Sequence, residues 1–383
     1  MAEGGAETTT GTRAEGQSGL YWILAALRPW LVLALVCSFF SLFADFRNVF
    51  WTRDYLPNVF QQSARNVVLA VGMSFVIMTG GIDLSVGSVL ALAGVGLGLS
   101  LAGTVPTWLV FVMALPPAVL VAWILRPRMK SLDPPAQVGV LCGIFVLVEC
   151  LGGWGLARGL AGGVKMEGAI AVCLLIGLAC GLANGLGVAL GRIPPFVMTL
   201  GMMSAARGLT LYATDGSSVP TQVPRFMALG QGGPLSLIAL SVVALGALLL
   251  TRFRAGRTIL AIGGNEQAAR LSGVDVVANK TLAYGLAGLC AGIGAVMVTA
   301  MFGQALTNAG TGAELEAIAA VVIGGTRLTG GQGSIVGALV GALTITVITA
   351  GLVLIRVPET LQQVILGGII VLTVFIDQIR AKK

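Results

Sequence analysis

The chain has 383 residues, 56% of them hydrophobic and only 10% charged, with a formal net charge of +7. An average soluble domain carries about 25% charged residues, so the composition argues against a soluble enzyme or a nucleic-acid binder and for an all-α polytopic membrane protein. Histidine is absent and the six cysteines, Cys37, Cys142, Cys150, Cys173, Cys180 and Cys290, all lie in apolar runs; the commonest general base and zinc ligand is missing, and no metal or disulfide framework is expected.

Residues 1–19 are small, polar and Gly/Thr-rich and read as a disordered tail. Trp30 to Phe43 is the first apolar run, an uncleaved span because no small-x-small cleavage site follows it. Tyr55 to Arg65 reads as an interfacial helix. Asn66 to Thr79 is a short crossing that runs into Gly80-Gly81-Ile82-Asp83-Leu84-Ser85-Val86-Gly87, and the chain is apolar again to Leu101. Asp83 between glycines has two readings. It caps a helix end with its carboxylate, or it lines a cavity beside broken helices, where such backbone is tolerated.

Trp108 to Leu125 and Val138 to Leu156 are further spans, separated by the basic loop Arg126 to Lys130; Glu149 lies within the second. Ala169 to Leu190 follows, and Pro194-Pro195 opens a helix to Tyr212 that contains Arg207. That arginine snorkels outward or lines a path. Residues 214–234 form a polar loop before the span Leu235 to Leu250. After the loop 252–280 comes Leu282 to Phe302. Glu314 and Glu316 suit the N-terminus of a short helix, Ala317 to Ile323, that ends at Gly324-Gly325-Thr326-Arg327. Ser334 to Leu354 and Leu361 to Ile376 complete twelve candidate crossings, those at 66–79, 196–212 and 313–323 being short.

Thr251 to Lys280 is the longest polar segment and the most basic, with Arg252, Arg254, Arg257, Arg270 and Lys280. Inside it the sequence predicts a helix over 266–272. Asn265 is its N-cap, Glu266 complements its first turn, and Gly273 takes the left-handed position after its end. So short a helix needs a surface to pack on. Ala268, Ala269 and Leu271 read as one small apolar face open to a partner.

With the N-terminus inside, the dense basic clusters and the C-terminal Arg380, Lys382 and Lys383 all fall in the cytoplasm, 15 of the 23 Lys and Arg in total, as the positive-inside rule asks. Both termini are then cytoplasmic. Arg47, Arg53, Arg65, Arg158 and Lys165 dissent. Gly80-Gly81-x-x-Leu84-Ser85-x-Gly87 matches Gly324-Gly325-x-x-Leu328-Thr329-x-Gly331 in spacing; this fits a parallel repeat, and with glycine so common it also fits chance. No Gly-x-x-x-x-Gly-Lys-Ser/Thr phosphate loop is present. No cofactor is therefore expected in this chain; in ATP-driven transport the nucleotide belongs to another subunit.

Several segments resemble the ribose/xylose/galactose-type permeases of bacterial ABC importers. They are Gly72 to Ser88, Asn184-Gly185, Ile193 to Gly201 with Arg207-Gly208, Ala261 to Asn265, and Glu314 to Gly331. The resemblance implies a single transmembrane permease domain over 20–378 in the inner membrane. It also implies a second permease subunit, two cytoplasmic ATP-binding subunits and a periplasmic sugar-binding protein. Ala268-Ala269-x-x-x-Gly273 is similar to the family's coupling loop, with Gln267 where a Glu is usual. Gly264, Asn265, Glu266, Ala268, Ala269, Arg270 and Gly273 are thus candidates for coupling to the ATPase. Gly80, Gly81, Asp83, Ser85, Arg207, Glu314, Glu316, Gly324, Gly325 and Arg327 are candidates for the translocation pathway, with Asp83 and Arg327 as a candidate ion pair. Residues 107–157 depart from the family as an extra pair of spans. The alternative is a self-sufficient secondary carrier for a small polar solute; a membrane-embedded enzyme has no nucleophile–base spacing to support it.

Overall fold

A computed structural model describes residues 27–104, 106, 112 and 165–381. The expected tail, the pair of spans at 107–157 save Val112, the basic loop 126–130 and Glu149 lie outside the described residues. Among the described residues the chain is helical apart from one two-residue strand pair.

The helices are α1 Leu27–Phe40, α2 Ala44–Phe50, α3 Tyr55–Met78, α4 Val86–Ala102, α5 Met166–Ala189 and α6 Pro195–Thr214. After strand β1 Val219–Pro220 come α7 Pro224–Leu229, α8 Pro234–Arg252, α9 Arg254–Gly264, α10 Glu266–Leu271 and α11 Val276–Phe302. Strand β2 Gln304–Ala305 precedes α12 Ala313–Ile323, α13 Ile335–Leu354 and α14 Glu359–Ala381. Strands β1 and β2 pair antiparallel, Val219 opposite Ala305, and tie the loop before α7 to the loop after α11.

Four of these helices, α5, α8, α11 and α13, are long and apolar enough to cross a membrane, and α4 and Glu359–Thr373 are shorter apolar helices. The pair α1 and α2 bends by 118° at its break, so the run expected to span over 30–43 ends where the chain turns sharply, as a broken span or a re-entrant loop. The protein is thus a helical, multi-pass membrane protein. The separate interfacial helix expected over 55–65 does not exist. Tyr55–Met78 is one helix of 24 residues, about 36 Å long at 1.5 Å per residue. Its polar half, with Gln61, Gln62, Arg65 and Asn66, continues directly into the apolar run because nothing in 55–78 stops the backbone ladder.

Close backbone approach holds the centre together. Within the spans, 78% of the α13 window and 72% of the α11 window are buried against 28% for α8, so α11 and α13 are central and α8 faces outward. Along α5, Gly177, Gly181 and Gly185 recur every four residues and meet Gly288, Gly292 and Thr281 of α11. A side chain on Gly288 would overlap the Gly177 carbonyl and come within 2.8 Å of the Gly181 backbone. The same device joins α12 to α13, where Gly324 packs against Gly337 and Gly341 against the Ala320 carbonyl. In lipid, where apolar surface alone does not drive helices together, such van der Waals contact is a main source of association.

Overpacking a well-filled contact typically costs about 1–3 kcal/mol. Gly288→Leu is therefore expected to lower the thermal midpoint of the detergent-purified protein. Gly201→Ala, at a position with nothing within 4 Å, is expected to leave it unchanged; differential scanning fluorimetry on both variants gives the comparison.

Candidate functional site

The predicted coupling helix forms, one residue shorter than expected, as α10. Its ends are local chemistry. Asn265 has extended backbone and its Oδ1 accepts the Ala268 N–H at 2.9 Å. At the other end Gly273 has φ +82°; its N–H donates to Arg270 O and the Val274 N–H to Ala269 O, the paired bonds of a Schellman motif. Glu266 bridges Arg270 at 3.2 Å and Lys280, in the first turns of α11, at 2.6 Å. The hydrogen bond from Lys280 holds the Glu266 carboxyl below its usual range, and Arg270 adds to the effect.

The supposed apolar face of α10 is split. Ala269 is buried against Ile262, Val274 and Val276, which anchors the helix to its own chain. Ala268 is exposed, and Leu271 is 90% exposed among charged neighbours. The helix turns only about 100° per residue, so Ala268 and Leu271, three apart, share the outer side while Ala269 turns inward.

Nor is 252–280 a loop. After the extended residue Phe253, α9 is amphipathic, with Gly256, Ile259 and Ile262 buried and Arg254 and Arg257 exposed. Near its end Gly263 touches two other segments backbone to backbone. A methyl there would overlap the Met78 carbonyl and the Gly331 N–H. These two groups also bond to each other, Gly331 N–H donating to Met78 O at 3.0 Å. A side chain on Gly330 would come within 2.7 Å of the Gly80 nitrogen and 3.0 Å of the Gly263 Cα. The end of α9, the first Gly-Gly turn and the Gly330-Gly331 end of the loop between α12 and α13 therefore meet at one junction. Gly80, Gly330 and Gly331 all have φ between +78° and +85° there, a region open to glycine at no steric cost.

The two turns share this end of the molecule but are not conformational copies. Gly80 and Gly325, which differ in repeat position, carry the positive φ. The first turn leads at once into α4, so Gly87 is helical, whereas its spacing partner Gly331 lies four residues before α13. The first break is short because Ser85 already begins α4; the second carries a longer loop.

Asp83 is buried, at 1% exposure. Its Oδ1 accepts the Ser85 N–H at 2.8 Å and the Ser85 Oγ–H at 2.6 Å, and Asn184 Nδ2 donates to Ser85 Oγ at 2.8 Å. The pair with Arg327 is not formed among the described residues. Arg327 is half-buried in the second turn, its N–H donating to Gln332 O, while the carboxylate closes on residues two positions away and on α5. The fully buried Tyr284 of α11 sits over the same turn, its hydroxyl filling the space that a side chain on Gly81 would need.

Of the remaining pathway candidates, Arg207, Glu314 and Glu316 gather at the start of α12, a half-length helix of 11 residues. Gly312 precedes it with φ +80°. Glu314 approaches Gly87 of α4, and Gly310 packs against the same glycine. Arg207 on α6 donates from Nη1 to Thr307 O at 2.6 Å and from Nη2 to Ala309 O at 3.2 Å, fixing the turns that lead in. It therefore points inward and does not snorkel. Glu316 pairs with Arg65 of α3 at 3.2 Å. Gly324 and Gly325 end the half-helix. Arg65 and Gly263 are not among the expected site residues; the sequence signal for Arg65 is its dissent from the charge rule, and for Gly263 only its place in the resembling segment Ala261 to Asn265.

A carboxyl with a depressed folded pKa contributes stability that is whole above the ordinary value, about 4.3, and is lost as pH falls through the folded value. Glu266→Gln is thus expected to destabilise α10 at pH 7 by less than about 1 kcal/mol, since the side chain is 41% exposed. The difference from wild type is expected to shrink as pH falls below the ordinary carboxylate range, as read by hydrogen exchange of the α10 amides across an acid titration.

A family model described as "branched-chain amino acid transport system / permease component" matches residues 55–374. The chain is 36% identical over 337 residues to the ribose import permease protein RbsC of Escherichia coli strain K12, covering 86% of this chain and 87% of the relative. It is 33% identical to the D-allose transport system permease protein AlsC of the same strain, covering 92% and 91%. It is 30% identical to the xylose transport system permease protein XylH of Haemophilus influenzae, covering 92% and 96%. No solved structure matches. A family match over most of the length, on a helical membrane fold whose glycine turns gather at one end, identifies this chain as a member of that transport-system permease family, a transport protein and not an enzyme.

Proposed function

We propose that this chain is the membrane-spanning subunit of an ATP-binding-cassette importer for a monosaccharide or related polyol. Its relatives are permeases for ribose, allose and xylose. The single observation that carries the coupling mechanism is the junction where Gly263 touches both Met78 and Gly331. A push on α10 passes along α9 to the end of α3 and to the loop between α12 and α13 without any flexible side chain between. The two turns then shift together, exchanging an inward-open for an outward-open arrangement.

In this reading α10 lies in the cytoplasm, docked to one of two ATP-binding subunits, and both chain termini are cytoplasmic. ATP is bound by that partner. A second permease subunit completes the pore, and a periplasmic sugar-binding protein docks on the loop 213–234, which β1 and β2 tie to 303–312. About twelve crossings, counting an extra pair at 107–157, keep α10 on the cytoplasmic side of the inner membrane, because an even insertion does not change orientation.

Burying a leucine fully is worth about 1.5–3 kcal/mol, and each 1.4 kcal/mol is tenfold in affinity. Leu271→Ala is expected to weaken capture of the ATP-binding subunit by about tenfold. Gly263→Val and Gly273→Val are expected to cut ATPase stimulation by loaded binding protein at least tenfold while the permease remains monodisperse; unchanged stimulation in both removes the lever. Leu271→Cys should react with impermeant maleimide only in inside-out vesicles, and labelling from the periplasm would reverse the orientation. Uptake driven by a proton gradient with no ATPase present would instead establish a self-sufficient carrier.

A further inference from the structure

A cavity of about 290 Å³ lies between α3, α8, α11, α12 and α13, away from the glycine junction. That is near the small end of the roughly 300–1,000 Å³ range of ligand pockets. One side is polar, with Gln62, Arg65 and Asn66 of α3, Glu316 of α12 and Thr349 of α13; Met301 and Phe302, at the end of α11, form an apolar side. Both are substantially exposed, Phe302 at 57%.

The charged pair in this wall is held in place and only half used. Arg65 Nε donates to Asn66 Oδ1 at 3.0 Å and Nη2 to Glu316 Oε2 at 3.2 Å. Among the described residues, Arg65 Nη1 and Glu316 Oε1 make no hydrogen bond. The two side chains are 33% and 25% exposed and both line the cavity. Thr349 donates its own hydroxyl hydrogen back to Ile345 O at 3.0 Å, which leaves its oxygen lone pairs as acceptors.

We propose that this cavity is a solute subsite for a neutral, monosaccharide-sized polyol, an inference that rests on the importer reading above. A free N–H donor beside a free carboxylate acceptor matches neighbouring hydroxyls, each of which both accepts and donates. The pair is neutral as a whole, so it gives no net attraction to a sugar acid or an amine. Phe302 and Met301 offer an apolar surface to the C–H face of a sugar ring, and the volume excludes an oligosaccharide. Arg65 is then a solute-contacting residue, which explains a positive charge placed against the topology rule.

The test uses the whole importer, permease with its ATP-binding subunits and binding protein, in proteoliposomes loaded with labelled D-ribose, D-xylose or D-allose. The quantity read is sugar moved per ATP hydrolysed. Glu316→Gln and Thr349→Val are each expected to lower that ratio, the first by about tenfold, and to change the preference among the three sugars. The doubly swapped Arg65→Glu/Glu316→Arg protein restores an ion pair but exchanges donor and acceptor, and its ratio is expected to fall as well. A merely structural ion pair predicts a rescued swap and a constant ratio, because a damaged fold loses transport and hydrolysis in proportion. An unchanged ratio and preference in Glu316→Gln and Thr349→Val overturns the subsite while leaving the importer standing. A wild-type complex that moves none of the three sugars overturns both the sugar assignment and the subsite.

Discussion

The contact of Gly263 with the Met78 carbonyl and the Gly331 N–H is the constraint on which the working geometry depends. It joins three segments far apart in sequence through backbone atoms alone. Close-packed protein interiors transmit strain, and these three backbones touch directly. In the proposed mechanism a displacement of α9 is delivered through this contact to both turns. The left-handed glycines at 80, 330 and 331 let the chain reverse within this tight space.

The junction works only because its surroundings are rigid. The glycine faces of α5 and α11 bring two long helices into backbone contact, and α12 sits on α13 in the same manner. That packing leaves little room for side-chain rearrangement, and in the proposed mechanism the breaks are where the chain moves. Breaks within a membrane fold leave backbone groups that lipid cannot satisfy. Here Asp83 takes up the Ser85 N–H of the first turn, and the Met78 carbonyl takes up the Gly331 N–H of the second. Each turn is thus partly completed by the other or by its own carboxylate.

The polar residues on the far side follow a different logic. Arg207 and Arg65 both reach toward the start of the half-helix α12, one to backbone carbonyls and the other to Glu316. Carboxylates in the first turn of a helix complement its N-terminal dipole, and Arg65 balances the charge that this places inside the protein. The result is a neutral but strongly polar wall beside apolar α11, a combination that suits a hydroxyl-rich and uncharged solute.

The residues alone determined the membrane class, the broken helices at Gly80-Gly81 and Gly324-Gly325, and the small helix with its caps at Asn265 and Gly273. Each of these depends on composition or on hydrogen bonds within a few residues, and both are written locally. Only the tertiary structure decided that Ala269 faces inward while Leu271 stays out, that Asp83 bonds Ser85 in preference to Arg327, and that Arg65 meets Glu316 across 251 positions. The physical reason is that α4, α11 and α13 are apolar over most of their length. In lipid the hydrophobic pattern then no longer marks which side of a helix faces a neighbour. Rotation and partner are set by where glycines let backbones meet, and that depends on every helix at once.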